Sequence, residues 1–119
     1  METKLFDSEL KVLEILWENG ELPAREVAAL AENSVGWSKT TTYTVLKKCV
    51  EKNLVARQDP GFRCRAVISR EDAQKKETRG LIDRLYGGSA DRLVASLLDG
   101  KVLSGEEISR LRKLVEDLK

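Results

Sequence analysis

The stretch from Ser38 to Leu54, SKTTTYTVLKKCVEKNL, constrains the fold more than any other in the chain. Wound as a helix at about 100° per residue, it puts Thr42, Val45, Leu46, Cys49 and Val50 on one side, with Leu54 closing that side just past the helix end. That side needs a core. The opposite side carries Thr40, Thr44, Lys47, Lys48 and Glu51, with Thr41 and Tyr43 on its flanks and Lys39 in the first turn. A face that only had to be soluble would mix Glu with Lys, whereas this one is mostly short hydroxyls and ammonium groups. Hydroxyls and lysines can donate to phosphate oxygens, and threonine methyls can contact thymine methyls, so such a surface suits a nucleic-acid backbone and base edges.

The flanking segments supply supports for that helix. Asp7 or Ser8 can cap an earlier helix in which Leu10, Leu13, Leu16 and Trp17 recur at helical spacing until Asn19-Gly20 stops it, with Glu9 suiting the dipole in its first turn. Trp17 reads as core rather than as a ligand-stacking residue. Leu22-Pro23 reads as a short extended linker. A second helix is expected from Ala24 to about Glu32, with Val27, Leu30 and Ala31 inward, and Asn33 to Gly36 breaks it. Ser38 then stands as the N-cap of the third helix, which makes the order that of a helix-turn-helix.

Asn53 is placed for a left-handed C-cap, and two strands follow, Leu54 to Gln58 and Phe62 to Ile68, around the turn Asp59-Pro60-Gly61. A hairpin directly after a helix-turn-helix is a β-wing. Arg57, Arg63 and Arg65 share a period of two, the last two falling on one face. Two readings are open for them: a basic wing lying on flanking phosphates, or a solvated edge hairpin whose charges discourage aggregation.

From Ser69 the pattern is helical throughout. One helix carries Thr78, Leu81, Ile82 and Leu85 up to Tyr86-Gly87-Gly88. A shorter one from Ser89 carries Leu93, Val94, Leu97 and Leu98. The last opens on the capping box Ser104-Gly105-Glu106-Glu107 and carries Ile108, Leu111, Val115 and Leu118 on a near-heptad stripe. Three short amphipathic helices make a thin core, so their stripes need a partner surface. A second copy of the same arm would give a two-fold dimer, and packing back onto the N-terminal domain is the alternative. The expected fold is mostly α with a small β-wing: a winged helix-turn-helix domain over residues 1–69 and a helical dimerisation domain over residues 70–119.

A net charge of only +1 over 119 residues would argue against nucleic acid were it evenly spread. It is not. Residues 1–36 hold three basic residues against eight acidic ones, a net of −5, whereas residues 37–70 hold eight against two, a net of +6. Polarisation of this kind makes a local positive field. With no histidine, no Gly-rich phosphate loop and no serine beside an activating partner, an enzyme is not expected. Cys49 and Cys64, the two cysteines, read as small apolar residues in a reducing compartment, and neither a metal nor a cofactor is expected. No apolar run is long enough to span a membrane and the N-terminal residues are charged, so the expected setting is the cytoplasm.

Three blocks together carry a family resemblance: LFDSELKVLEILWENGELPAREVAALAE, GWSKTTTYTVLKKCVEKNLVARQDPGFRCRAVISRED and LYGGSADRLVASLLDGKVLSGEEISRLRKLVEDL. The chain resembles the penicillinase-repressor family of bacterial winged-helix regulators, which includes the methicillin-resistance and copper-responsive repressors. The resemblance implies an N-terminal winged helix reading the major groove, a helical dimerisation arm, and repression by occupying an operator. It places the DNA-reading helix on Ser38, Lys39, Thr40, Thr41, Thr42, Tyr43, Thr44 and Lys47, although the helical geometry turns Thr42 inward. It places the wing tip on Asp59 to Arg63. The antibiotic-responsive members are released by a membrane sensor protease that cuts an Asn-Phe bond in the arm; the matching pair here is Ser96-Leu97, a departure for which packing is the other reading. The copper-responsive members carry Cys-x-Cys pairs near the C-terminus, and no cysteine follows Cys64 here.

The expectation is therefore a homodimeric, sequence-specific repressor of double-stranded operator DNA. Lys47, Lys48, Arg57 and Arg63 would mainly hold phosphates, and Lys39, Thr40, Thr41, Tyr43 and Thr44, behind the Ser38 cap, would lie nearest the bases. The alternative is a winged helix used for protein–protein contact with an acidic partner.

Overall fold

The computed structural model describes residues 5–118. In chain order the elements are α1 (Asp7–Asn19), β1 (Leu22–Pro23), α2 (Ala24–Val35), α3 (Lys39–Glu51), β2 (Val55–Gln58), β3 (Arg63–Ala66), α4 (Arg70–Leu85), α5 (Ala90–Asp99) and α6 (Gly105–Glu116). The mostly helical architecture with a small sheet is the one the periodicities predict.

Several boundaries differ from expectation for identifiable reasons. Asp7 is already helical and Phe6 takes the cap position, where its backbone N–H donates back to Glu9 Oε1 at 2.9 Å. α2 runs on to Val35 because Gly36, at φ +72°, adopts the left-handed turn and returns its N–H to the Glu32 carbonyl. Its inward set is Ala24, Val27, Ala28 and Ala31, while Leu30 is 37% exposed. Leu30 lies about 110° round the helix from the middle of that stripe. On α1, Leu10 and Trp17 are half-buried, and Val12, Leu13, Ile15 and Leu16 do most of the packing.

Leu22-Pro23 is not a linker but a strand. β1 pairs antiparallel with β3 (Leu22 opposite Cys64, Pro23 opposite Arg63), and β2 pairs with the other side of β3 from Val55–Ala66 to Gln58–Arg63, giving the order β1-β3-β2. A proline, which has no N–H to donate, is tolerated because β1 is an edge. The wing strands are shorter than predicted, and Phe62 is left in the turn at φ +47°.

The core of the winged helix gathers Val12, Leu13 and Leu16 from α1, Val27 and Ala31 from α2, Leu46 and Cys49 from α3, and Val55 and Cys64 from the sheet. One charge is buried with it. Glu9 is 1% exposed, and Lys52 Nζ lies 2.8 Å from each of its carboxylate oxygens and 4.3 Å from the centre of the Phe6 ring. Lys52 therefore belongs to the scaffold rather than to the free positive surface that its place in the basic block suggested. The pair ties the end of α3 to the start of α1.

Both thiols are buried and unpaired. Burial pushes Cys49 up to about 12, with the Glu9 carboxylate adding to the rise, and burial pushes Cys64 up to about 11. A thiol raised in the folded state holds its proton there while the unfolded chain releases it. Stability is therefore full below the ordinary thiol value of about 9 and is lost as pH climbs from there through about 11 to 12. The expected outcome is a urea midpoint that is flat with respect to these groups up to about pH 8 and falls above pH 9. Cys49→Ala with Cys64→Ala should reduce that fall.

The chain forms two compact units that divide between Glu77 and Thr78, within α4. The first turn of α4 belongs with the winged helix, since Ala73 is buried and Trp17 Nε1 donates to the Ile68 carbonyl at 2.9 Å, with the Arg70 guanidinium 5.4 Å from the Trp17 ring. In the second unit, α5 and α6 are amphipathic, and Ser104 and Glu107 form the expected reciprocal capping box at 3.1 and 2.9 Å. Its apolar side chains stay largely uncovered: among described residues 78–118 only Ile82 is buried, while Leu85, Leu98, Val115 and Leu118 are exposed. Ile82 is thereby withdrawn from the free stripe expected of it. Val102 and Leu114, absent from that stripe, are 66% and 64% exposed. No described helix is long and apolar enough to cross a membrane.

Candidate nucleic-acid interface

Ser38 starts α3 as expected. It has extended backbone angles, its Oγ accepts the Thr41 N–H at 3.2 Å, and its hydroxyl shares a 3.0 Å hydrogen bond with that of Thr41. Thr42, Val45, Leu46 and Cys49 are buried, Val50 is half-buried, and the Thr42 hydroxyl is turned in to the Ser38 carbonyl at 3.3 Å. With that side fixed in the core, Lys39, Thr40, Thr41, Thr44, Lys47 and Lys48 are all exposed.

Lys39, Thr40, Tyr43, Thr44 and Lys47 line one shallow open concavity. Within it the Thr44 hydroxyl donates to the Thr40 carbonyl at 3.0 Å, which restricts its rotamer and leaves the hydroxyl oxygen able to accept. The Thr40 hydroxyl carries no such internal bond among the described residues. Lys48 is set apart. It lies one residue round from Lys47 and borders a separate depression beside Phe6, Asp7 and Glu51 at the start of α1.

The wing is joined to α3 through rings. Tyr43 is half-buried and meets Phe62 edge to face at 5.9 Å and 76°, Lys39 Nζ sits 5.8 Å from the Tyr43 ring, and the Arg57 guanidinium lies 3.8 Å from the Phe62 ring. Tyr43 is thus partly a spacer between helix and wing. The register also separates the three wing arginines. Arg57 pairs across from Cys64 and so shares its face, whereas Arg63 and Arg65 flank Cys64 and point the other way.

Two of these arginines are engaged within the chain. Arg63 Nε donates to Glu21 Oε2 at 2.8 Å, and Arg57 Nε donates to both oxygens of Asp59 at 3.2 and 3.3 Å. Arg65, exposed on β3, makes no ion pair among the described residues. The phosphate-holding set expected from the sequence omits it, though strict alternation around Cys64 marks it. Among the described residues no group of three or more His, Cys, Asp or Glu is placed to hold a metal.

The chain that carries this arrangement is similar to known proteins. Residues 5–117 match the family described as penicillinase repressor. The chain belongs to that family. Members of the penicillinase repressor family are transcriptional repressors that bind DNA, not enzymes. Two relatives are the penicillinase repressor of Bacillus licheniformis, 26% identical over 98% of this chain and 92% of its own, and the methicillin resistance regulatory protein MecI of Staphylococcus aureus, 22% identical over 97% and 98%. Among solved structures, the monomeric form of Bacillus licheniformis BlaI in complex with the blaP half-operator superposes with a TM-score of 0.52 at 24% identity, covering 59% of this chain and 88% of that one. That likeness places the matched 59% of the chain in the winged-helix fold.

The Ser96-Leu97 pair, aligned by resemblance with the family's cleavage position, lies inside α5. Ser96 accepts the Gly100 N–H at 3.0 Å through its carbonyl, its hydroxyl bonds that of Tyr86 at 3.1 Å, and Leu97 is half-buried.

Proposed function

We propose that the protein is a cytoplasmic, homodimeric repressor that inserts α3 of each protomer into a major groove of a roughly palindromic operator. The observation that carries this reading is the exposed Lys39, Thr40, Thr44 and Lys47 cluster, held outward by the burial of Thr42, Val45, Leu46 and Cys49. Lys39, Thr40, Thr41, Tyr43 and Thr44 face the bases, with the Ser38 cap and Lys47 on the adjoining phosphates, and the wing lays Arg63 and Arg65 along the flanking backbone. Arg57, on the Cys64 side of the hairpin beside the Phe62 ring, holds phosphate from the α3 side, and Lys48, beside carboxylates near α1, has a lesser part. The apolar side chains at Leu81, Leu85, Leu93, Val94, Leu97, Leu98, Ile108, Leu111, Val115 and Leu118, exposed or half-buried in the single chain, are the dimerisation surface, which supports two half-sites spaced by about one helical turn or a multiple of it.

A mobility shift on the region upstream of the protein's own gene, at two salt concentrations with unrelated DNA as competitor, tests the reading. Specific retention at the higher salt supports it, and indifference to sequence at both would return the winged helix to a protein-binding role. Lys47→Ala should weaken binding to every sequence and reduce the log-log salt slope by about one unit for each phosphate it no longer neutralises, whereas Thr40→Ala should change base preference at one position of each half-site. Unchanged affinity in both variants would remove α3 from the interface.

Release by a membrane sensor protease belongs to the same proposal. Because the Ser96-Leu97 bond is held in a regular helix, α5 must open locally before a protease could take the chain in extended form.

A further inference from the structure

Two of the three wing arginines do not wait bare for DNA. Arg63 is held by Glu21, the residue before β1, and Arg57 by Asp59 in the wing turn, at 2.8 and 3.2 Å. All four side chains are between about two-fifths and three-fifths exposed, so each pair can be exchanged without unfolding anything. A carboxylate presents to a guanidinium the same anionic oxygens that a DNA phosphate does.

We infer that Glu21 and Asp59 are internal competitors for the phosphate backbone, occupying Arg63 and Arg57 in the free protein and setting the sequence-independent part of its DNA affinity. The inference rests on the DNA-binding reading above. To reach a phosphate, each arginine must first give up its carboxylate, so the wing's electrostatic gain is a difference between two ion pairs rather than one whole contact. Because the exchange involves no base, it lowers affinity by the same factor on every duplex. The two carboxylates thereby keep the basic wing from fixing the protein to arbitrary DNA, while the α3 contacts retain their full discrimination.

The test is a double-mutant cycle, read by fluorescence anisotropy on a short mixed-sequence duplex at low salt. Glu21→Gln removes the competitor at an exposed position and keeps the side chain's shape. Exposed ion pairs are weak, so the expected gain is about two- to fivefold in affinity per protomer. The same substitution in an Arg63→Ala background should give no gain, because the arginine it would release is absent. Simple removal of a repelling negative charge near DNA predicts instead an equal gain in both backgrounds, and that result would overturn the inference. So would the absence of any gain in the first background. A second cycle, Asp59→Asn with Arg57→Ala, repeats the measurement on the other pair, with unfolding midpoints confirming that all variants fold. If the unsubstituted protein binds no duplex at low salt, the DNA-binding reading fails and takes this inference with it. Binding without coupling in the cycles overturns the inference alone.

Discussion

Val115→Asp is expected to leave the protomer folded, split the proposed homodimer into monomers and lower operator affinity by about 10²- to 10⁴-fold. The side chain is 59% exposed in the single chain, so an aspartate there loses little in the isolated protomer. In a two-fold interface, one substitution places a carboxylate in the contact twice, against the apolar row of Leu111, Val115 and Leu118. The affinity loss follows from linkage: once one α3 is seated, the second half-site is bound at the effective concentration its tether provides, and a monomer forfeits that factor while its contact with one half-site is untouched. Sedimentation velocity gives the oligomeric state, and titration on whole and half operators separates the two affinities. A dimer that persists, or equal losses on whole and half sites, would rule out this surface as the source of two-fold binding.

Lys52→Met is expected to cost about 3 kcal/mol of stability, because it leaves the Glu9 carboxylate, 1% exposed, with no counter-ion among the described residues. The 21% exposure of the Lys52 side chain lets some water reach the pair and holds the figure at the low end of what a broken buried pair costs. The instructive comparison is the double variant Glu9→Gln with Lys52→Met. Glutamine can keep the hydrogen bond from the Phe6 N–H without carrying charge, so the double variant should recover most of the loss. Urea unfolding with unchanged m-values is the measurement. If the two losses simply add, the pair is not coupled and Lys52 acts through its stem alone.

The third helix was legible in the sequence because its two faces are chemically opposite and its start carries a side-chain cap. Thr42, Val45, Leu46 and Cys49 recur at the helical period, and Ser38 has the oxygen that the Thr41 N–H needs. The Glu9–Lys52 pair was not legible. Its members are 43 positions apart, each looks like an ordinary surface charge, and no local pattern announces that two helix ends will meet. β1 escaped for a different reason, since two residues are too few to alternate and a proline argues against a strand unless an edge is known to be free. With β1 unseen, the engagement of Arg63 by Glu21 was also out of reach, because only the β1–β3 pairing brings those residues together. In the arm, amphipathicity was plain from spacing, yet the burial of Ile82 and the exposure of Val102 and Leu114 depend on helix packing that a stripe of single residues does not encode.

The two tryptophans stand at separate control points of the winged helix. Trp17, hydrogen-bonded to Ile68 and flanked by Arg70, watches the root of α4, while Trp37, half-buried just ahead of Ser38, watches the entry to α3. Each indole therefore acts as a native optical probe, so loosening at the arm's base and engagement of the reading helix should register as distinct emission changes in single-tryptophan variants, with no dye attached.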